Sequence, residues 1–224
     1  GTTWANVYSD TFNADVTQRL FYINDIKARN NGGTTEVFIG VGGAYYGEGE
    51  DWVGYNKTGL YKSDNNGASW SKITLNTPGA SPYEPNDIEI GLDNTIWIGT
   101  ESNPWGDGGG TILKSTNVAG TTFTEAHRIT DGRRTEIAVS STNANTVYVL
   151  AQVRTKDVDD KVIAPYLSMI KTTNGFTNTT AMTLPSDADN DIASNDFTRG
   201  QAFYDLVIEV DPTNDNIIYA GGID

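Results

Sequence analysis

Aromatic rings and carboxylates lie together in two stretches of the chain. The first runs through Tyr45, Tyr46, Glu48, Glu50, Asp51, Trp52 and Tyr55, the second through Glu101, Trp105 and Asp107. Such a mixture suits a glycan or protein surface, with ring faces against the apolar side of a sugar and carboxylates on its hydroxyls. The same rings could instead pack down and stiffen long loops. A glycosidase needs two opposed carboxyl groups, and Asp51 and Asp107 are the pair such a reading would enlist. A third stretch, Asp187-x-Asp189-x-Asp191 with Asn190, Asn195 and Asp196 close by, offers oxygen ligands for Ca²⁺. It is no EF-hand, because Ile192 stands at the sixth position and Thr198 at the twelfth. Asp157, Asp159 and Asp160 make a second acidic run. Both runs also read as solvated polar loops. No cofactor is required, and calcium is the ion they would take.

Composition removes several chemistries. The 224 residues contain no cysteine and one histidine, His127, so thiolate catalysis, disulfide scaffolds and multi-histidine metal centres are out. A formal net charge of −14 argues against nucleic acid and against docking on anionic lipid. No apolar run approaches the roughly 20 residues that cross a bilayer as a helix, so no membrane insertion is expected. An acidic surface that keeps a secreted protein soluble fits this balance.

What must position the loops is a β scaffold. Gly 24, with abundant Thr and Asn, marks a turn-rich, all-β chain. One pattern recurs three times: an apolar pair, Lys, Ser or Thr, any residue, Asn. It reads Leu60-Tyr61-Lys62-Ser63-Asp64-Asn65, then Ile112-Leu113-Lys114-Ser115-Thr116-Asn117, then Met169-Ile170-Lys171-Thr172-Thr173-Asn174. The lysines are 52 and 57 residues apart, about one four-stranded sheet with its loops. Ahead of each copy lie two apolar or alternating runs split by a short polar turn: 21–28 and 36–41, 87–91 and 95–99, 135–140 and 146–153. A fourth pair covers 206–210 and 216–220. With strands named a to d from the axis outward, each unit reads a, b, long loop, c, tight turn, d.

After the first copy come Gly67 and Trp70, completing Ser63-x-Asn65-x-Gly67-x-x-Trp70. This resembles the Asp-box of sialidases, bacterial xyloglucanases and sortilin-type propellers. The second copy, Ser115, Asn117, Gly120 and Phe123, has one extra residue before its glycine. The third, Thr172, Asn174, Gly175 and Phe176, reads as shortened. A short Asn side chain accepts backbone amides in a tight turn, glycine supplies a positive φ, and the ring packs on neighbouring strands. These jobs are structural, and the resemblance implies a β-propeller in which the motif lies far from any active site.

The enzymes of that group leave fainter traces. The seven arginines show no Arg-Ile-Pro motif, and none can be placed in a sialidase-like cluster from sequence. Val41-Gly42-Gly43-Ala44-Tyr45 resembles the xyloglucanase strand-end signature Asp-Ile-Gly-Gly-Ala-Tyr, with Gly40 at the aspartate's place. The segment Ser9-Asp10-Thr11-Phe12, the Gly-rich first b–c loop and Asp211-Pro212-Thr213-Asn214-Asp215-Asn216 are similar to large surface proteins exported by bacterial type IX secretion. That likeness implies an extracellular or bacterial cell-surface location.

The expected architecture is one all-β, incomplete β-propeller over residues 1–224, built from four-stranded antiparallel blades. Strand d of a preceding blade (Trp4 to Tyr8) and a linker occupy 1–20. Blades occupy 21–80, 81–127 and 128–185, and a loop with the first two strands of a truncated blade occupies 186–224. Three complete blades with partial blades at both ends would leave open edges for further blades of the same polypeptide or a partner strand. The b–c loops over 42–59, 101–110 and 154–165 share one face with the d–a loops over 76–86, 126–134 and 185–204. Binding is expected on that long-loop face. The expected function is a binding or scaffolding module that contacts glycan or protein through Tyr45, Tyr46, Trp52, Tyr55 and Trp105. The alternative is a glycoside hydrolase of the same propeller type, with part of its active site outside this chain.

Overall fold

The computed structural model describes residues 3–6, 9, 14–20, 22–46, 51–159, 161–186 and 194–222, with the backbone alone at 45, 46, 51, 52, 156 and 162–164. In the first sheet β1 (Tyr22–Asn31) pairs with β2 (Thr34–Gly42), and a small hairpin of β3 (Ala44–Tyr46) and β4 (Asp51–Val53) stands in the loop that follows. The sheet is completed by β5 (Gly59–Ser63) and β6 (Ser71–Ile73). The second contains β7 (Glu84–Ile90), β8 (Ile96–Glu101), β9 (Thr111–Ser115) and β10 (Thr124–Arg128). The third contains β11 (Gly132–Val139), β12 (Val147–Lys156), β13 (Val162–Thr172) and β14 (Thr180–Ala181), and a hairpin of β15 (Val207–Asp211) and β16 (Asn214–Gly221) follows. All pairings are antiparallel. The first strands β1, β7, β11 and β15 pack one upon the next, so the sheets stand as the blades of a β-propeller.

Alternation along the strands fills the spaces between blades. Phe38, Leu60, Ile88, Ile96 and Ile98 pack between the first and second sheets. Trp97, Ile112, Ile137, Val149 and Phe176 pack between the second and third. Tyr148, Leu150, Met169 and Ile208 close the third against β15. The repeated lysines have partners that the repeat did not reveal. Lys62, Lys114 and Lys171 sit directly across from Phe38, Trp97 and Tyr148 in register. Their ammonium groups lie 5.9, 4.7 and 4.9 Å from the ring centroids.

The tight turns differ from copy to copy. Ser63 Oγ accepts the Gly67 amide and Asn65 Oδ1 the Ser69 amide, each at 2.9 Å, with Gly67 at φ +85°. The third turn repeats these bonds: Thr172 Oγ1 accepts from Phe176 and Asn174 Oδ1 from Asn178, again at 2.9 Å. It is therefore full-length, not shortened. Phe176 takes the glycine's place at φ +72° and stacks its ring on His127 at 5.2 Å. In the second turn the extra residue changes the bonding, and Gly120 donates to the Asn117 carbonyl.

Two further expectations change. The b–c loop over 154–165 is the tip of one long hairpin, since Arg154 pairs with Pro165 and Lys156 with Val162. Residues 3–6 lie in no strand and leave Trp4 exposed, while Val7 and Tyr8 fall outside the described residues.

A bulge recurs in two of the innermost strands and clasps the first blade to the second and the second to the third. The register shifts at Asn24 in β1 and at Asn86 in β7. Each Asn amide donates to the following blade at 3.1 Å, Asn24 to the Pro85 carbonyl and Asn86 to the Thr135 carbonyl. The next residues, Asp25 and Asp87, accept the amides of Ile88 and Ile137 at 2.8 and 2.7 Å. Across the strand pair stand Gly40 and Gly99. A Cβ there would sit 2.7 Å from the Pro85 oxygen and 2.4 Å from the Thr135 oxygen. Gly40, at the position of the xyloglucanase aspartate, thus leaves a carboxylate no room.

Candidate functional site

In the third blade the clasp is absent, and a cleft opens at the start of its first strand. The register shift in β11 falls between Gly132 and Thr135, so Arg133 and Arg134 are the bulged pair. Gly132 pairs with Val153, which brings Arg154 of β12 beside them. The three arginines line a cleft of about 630 Å³ whose other walls include Glu84, Glu101, Phe203 and Tyr204.

Each arginine has a different hold. Arg134 Nε donates to Glu136 at 2.8 Å, the carboxylate that also accepts from Asn86 at 2.6 Å. Glu136 is spent on this pairing, where its counterpart Asp87 grips the next blade. Arg154 donates to Ser102 Oγ at 3.3 Å, and burial together with Arg133 pulls its guanidinium below the usual value. Arg133 lies over the Phe203 ring at 5.4 Å, with Nε 3.9 Å from Glu101 and no hydrogen-bond partner for that atom among the described residues. Phe203 and Tyr204 meet edge to face at 4.6 Å on the rim.

Opposite the arginines stand two carboxyl groups. Glu84 and Glu101 are directly across from one another on β7 and β8. Glu84 is 5% exposed, and burial and then the charge of Glu101 push its carboxyl well above the usual range. Asn24 and the Gly43 amide donate to it, while its Oε2 makes no hydrogen bond among the described residues. Burial also pushes Glu101 up, against the opposing pull of Arg134, Arg133 and Arg154.

The residues singled out in the sequence fall around this cleft unevenly. Tyr55 and Trp105, from loops of neighbouring blades, meet edge to face at 5.4 Å, and Trp105 stays 47% exposed. Tyr45, Tyr46, Asp51 and Trp52 sit on the β3–β4 hairpin, where Tyr45 pairs with Trp52 and Tyr46 with Asp51. Asp107 braces a loop: its carboxylate accepts from Ser81 at 2.8 Å, and its amide donates to Asn103. Ser63, Asn65, Gly67 and Trp70 belong to the first turn, on the strand ends away from the cleft. Asp187, Asp189 and Asp191 lie outside the described residues. Among the described residues no cluster of three or more acidic or histidine side chains could hold a metal ion.

The arginines escaped the sequence reading because Arg154 is 20 residues from Arg134, and only the register unites them. A signal existed: Arg133-Arg134 is a paired basic step at the start of a first strand, in a chain with seven arginines.

No protein family and no curated protein matches the chain. Among solved structures it is similar to the extracellular domain of a one-component system protein of B. thetaiotaomicron, at 14% identity and a TM-score of 0.49. The match covers 89% of this chain and 20% of that one, so the chain spans about a fifth of its length.

Proposed function

We propose that this chain is a binding module of an Asp-box propeller at the bacterial cell surface, and that its long-loop face holds an acidic glycan. The observation that carries the reading is the convergence of Arg133, Arg134 and Arg154 on one cleft in a chain of net charge −14. Guanidinium groups bind carboxylate or sulfate bidentately. The surrounding acidic surface repels anions that the cleft does not fit. Phe203, Tyr204 and the Tyr55–Trp105 pair suit the apolar faces of sugar rings. The cell-surface placement rests on the similarity of residues 9–12 and 211–216 to exported surface proteins.

The first blade also suits a further blade of the same polypeptide as partner. Ile26 occupies the place of Ile88 and Ile137, which the preceding blades bury, yet it is 59% exposed. It borders a groove of about 500 Å³ lined by Ile23, Ile39, Tyr61 and Trp70.

The test is titration with matched oligosaccharides that are neutral, uronate-bearing or sulfated. Saturable binding confined to the acidic ones is expected. Equal affinity for the neutral ones would sink the reading. The Glu84–Glu101 pair favours a second reading, a glycoside hydrolase with a buried protonated acid. Turnover products that vanish in Glu84→Gln and Glu101→Gln would favour that enzyme over the module.

A further inference from the structure

The acidic pair in the cleft is odd for a site that attracts anions. Glu84 lines the cleft and carries a buried oxygen with no hydrogen-bond partner among the described residues. A carboxylate there would repel an anion, while a carboxylic acid would donate to it. Building on the acidic-ligand reading, we propose that the cleft takes up an anionic group together with a proton, held on Glu84 Oε2.

The groups facing Glu84 support the proton. From β1 comes the Asn24 amide and from the following loop the Gly43 N–H, both donors to the carboxyl. From β8 comes Glu101, a second carboxyl directly opposite. Arg133 and Arg134 of β11 and Arg154 of β12 act on Glu101 and are engaged with Glu101, Glu136 and Ser102 respectively. Burial therefore opposes the ionisation of Glu84, and the like charge of Glu101 adds to the cost. An incoming anion adds another negative charge and raises that cost again. With Glu84 neutral, the cleft becomes an array of donors that suits an acceptor-only group such as carboxylate or sulfate.

The linkage has a definite sign. Affinity is full while Glu84 is neutral and falls as pH rises through its raised pKa. Binding and proton uptake are reciprocal, so above that pH each ion bound brings a proton from solution.

Calorimetric titration with inorganic sulfate and with glucuronate, from mildly acidic to alkaline pH and in buffers of different ionisation heat, tests the proposal. The expected result is a loss of roughly tenfold or more in affinity toward alkaline pH, with uptake approaching one proton per anion. Glu84→Gln retains a donor without a titrating group, so its affinity should become independent of pH. Its thermal melt reports whether it is folded, and the wild-type proton count stands without it. Anion binding with no pH dependence and no proton exchange would overturn the inference and leave the acidic-ligand reading intact. No binding of either anion at any pH would overturn both.

Discussion

The bulge of the first strand does two different jobs in successive blades. In the first and second it carries Asn24-Asp25 and Asn86-Asp87, whose side chains grip the backbone of the next blade. In the third the register shift lies nearer the start of the strand, at Arg133-Arg134, while Thr135-Glu136 stand in the places of Asn-Asp and Glu136 turns to Arg134 and Asn86. Where local consistency makes a repeat, the place that abandons it is where function is to be sought. The clasp binds blade to blade, and where it is missing two arginines at the start of the strand line a cleft.

This comparison can be broken from the clasp side first. Gly99→Val places a side chain against the Thr135 carbonyl, where even a Cβ would lie 2.4 Å from the oxygen. Wedging two blades apart should cost about 3 kcal/mol in denaturant unfolding. Asp25→Ala should cost about 1–3 kcal/mol, because the Ile88 amide loses its acceptor inside the blade junction. If either change leaves the unfolding midpoint where it was, the clasp is not what joins the blades.

The second clasp adds a pH dependence. Burial, then the charge of Glu136, push Asp87 well above the usual carboxylate range. Its folded pKa thus exceeds its unfolded one, so its stabilisation is full at acid pH and is lost as pH rises through the folded value. The melting temperature should fall as pH is raised from mildly acidic toward alkaline. Asp87→Asn keeps an acceptor for the Ile137 amide and should flatten that slope. A slope that persists in the variant would assign the dependence to other groups.

The turns offer the smallest effect. Ser63→Ala removes the hydroxyl that accepts the Gly67 amide and should cost about 1 kcal/mol. Ser115→Ala should cost less, because its glycine amide is held by a backbone carbonyl. Equal losses in chemical denaturation would erase the distinction between the two turns.

Much of the scaffold was legible because period and turn chemistry are local. The lysine repeat located β5, β9 and β13, and Asn30 to Gly33 and Asp93-Asn94 located hairpin turns. The rings opposite the lysines were not legible, since Phe38, Trp97 and Tyr148 lie 24, 17 and 23 residues before their partners. Phe176 hid a full turn because a non-glycine residue holds the positive φ. The loop aromatics Tyr55 and Trp105 were found by type, and the structure joins them. The cleft itself depends on β11–β12 register and on residues near 203, which no local pattern connects.

The most direct measurement is the affinity of a uronate-bearing oligosaccharide for the wild type, Arg133→Ala and Arg154→Ala, with denaturation curves recorded on the same preparations. If the third bulge serves a ligand, each variant should bind at least about tenfold more weakly while stability stays within about 0.5 kcal/mol. Variants that bind as well as the wild type but unfold more easily would make these arginines structural, and would contradict the account.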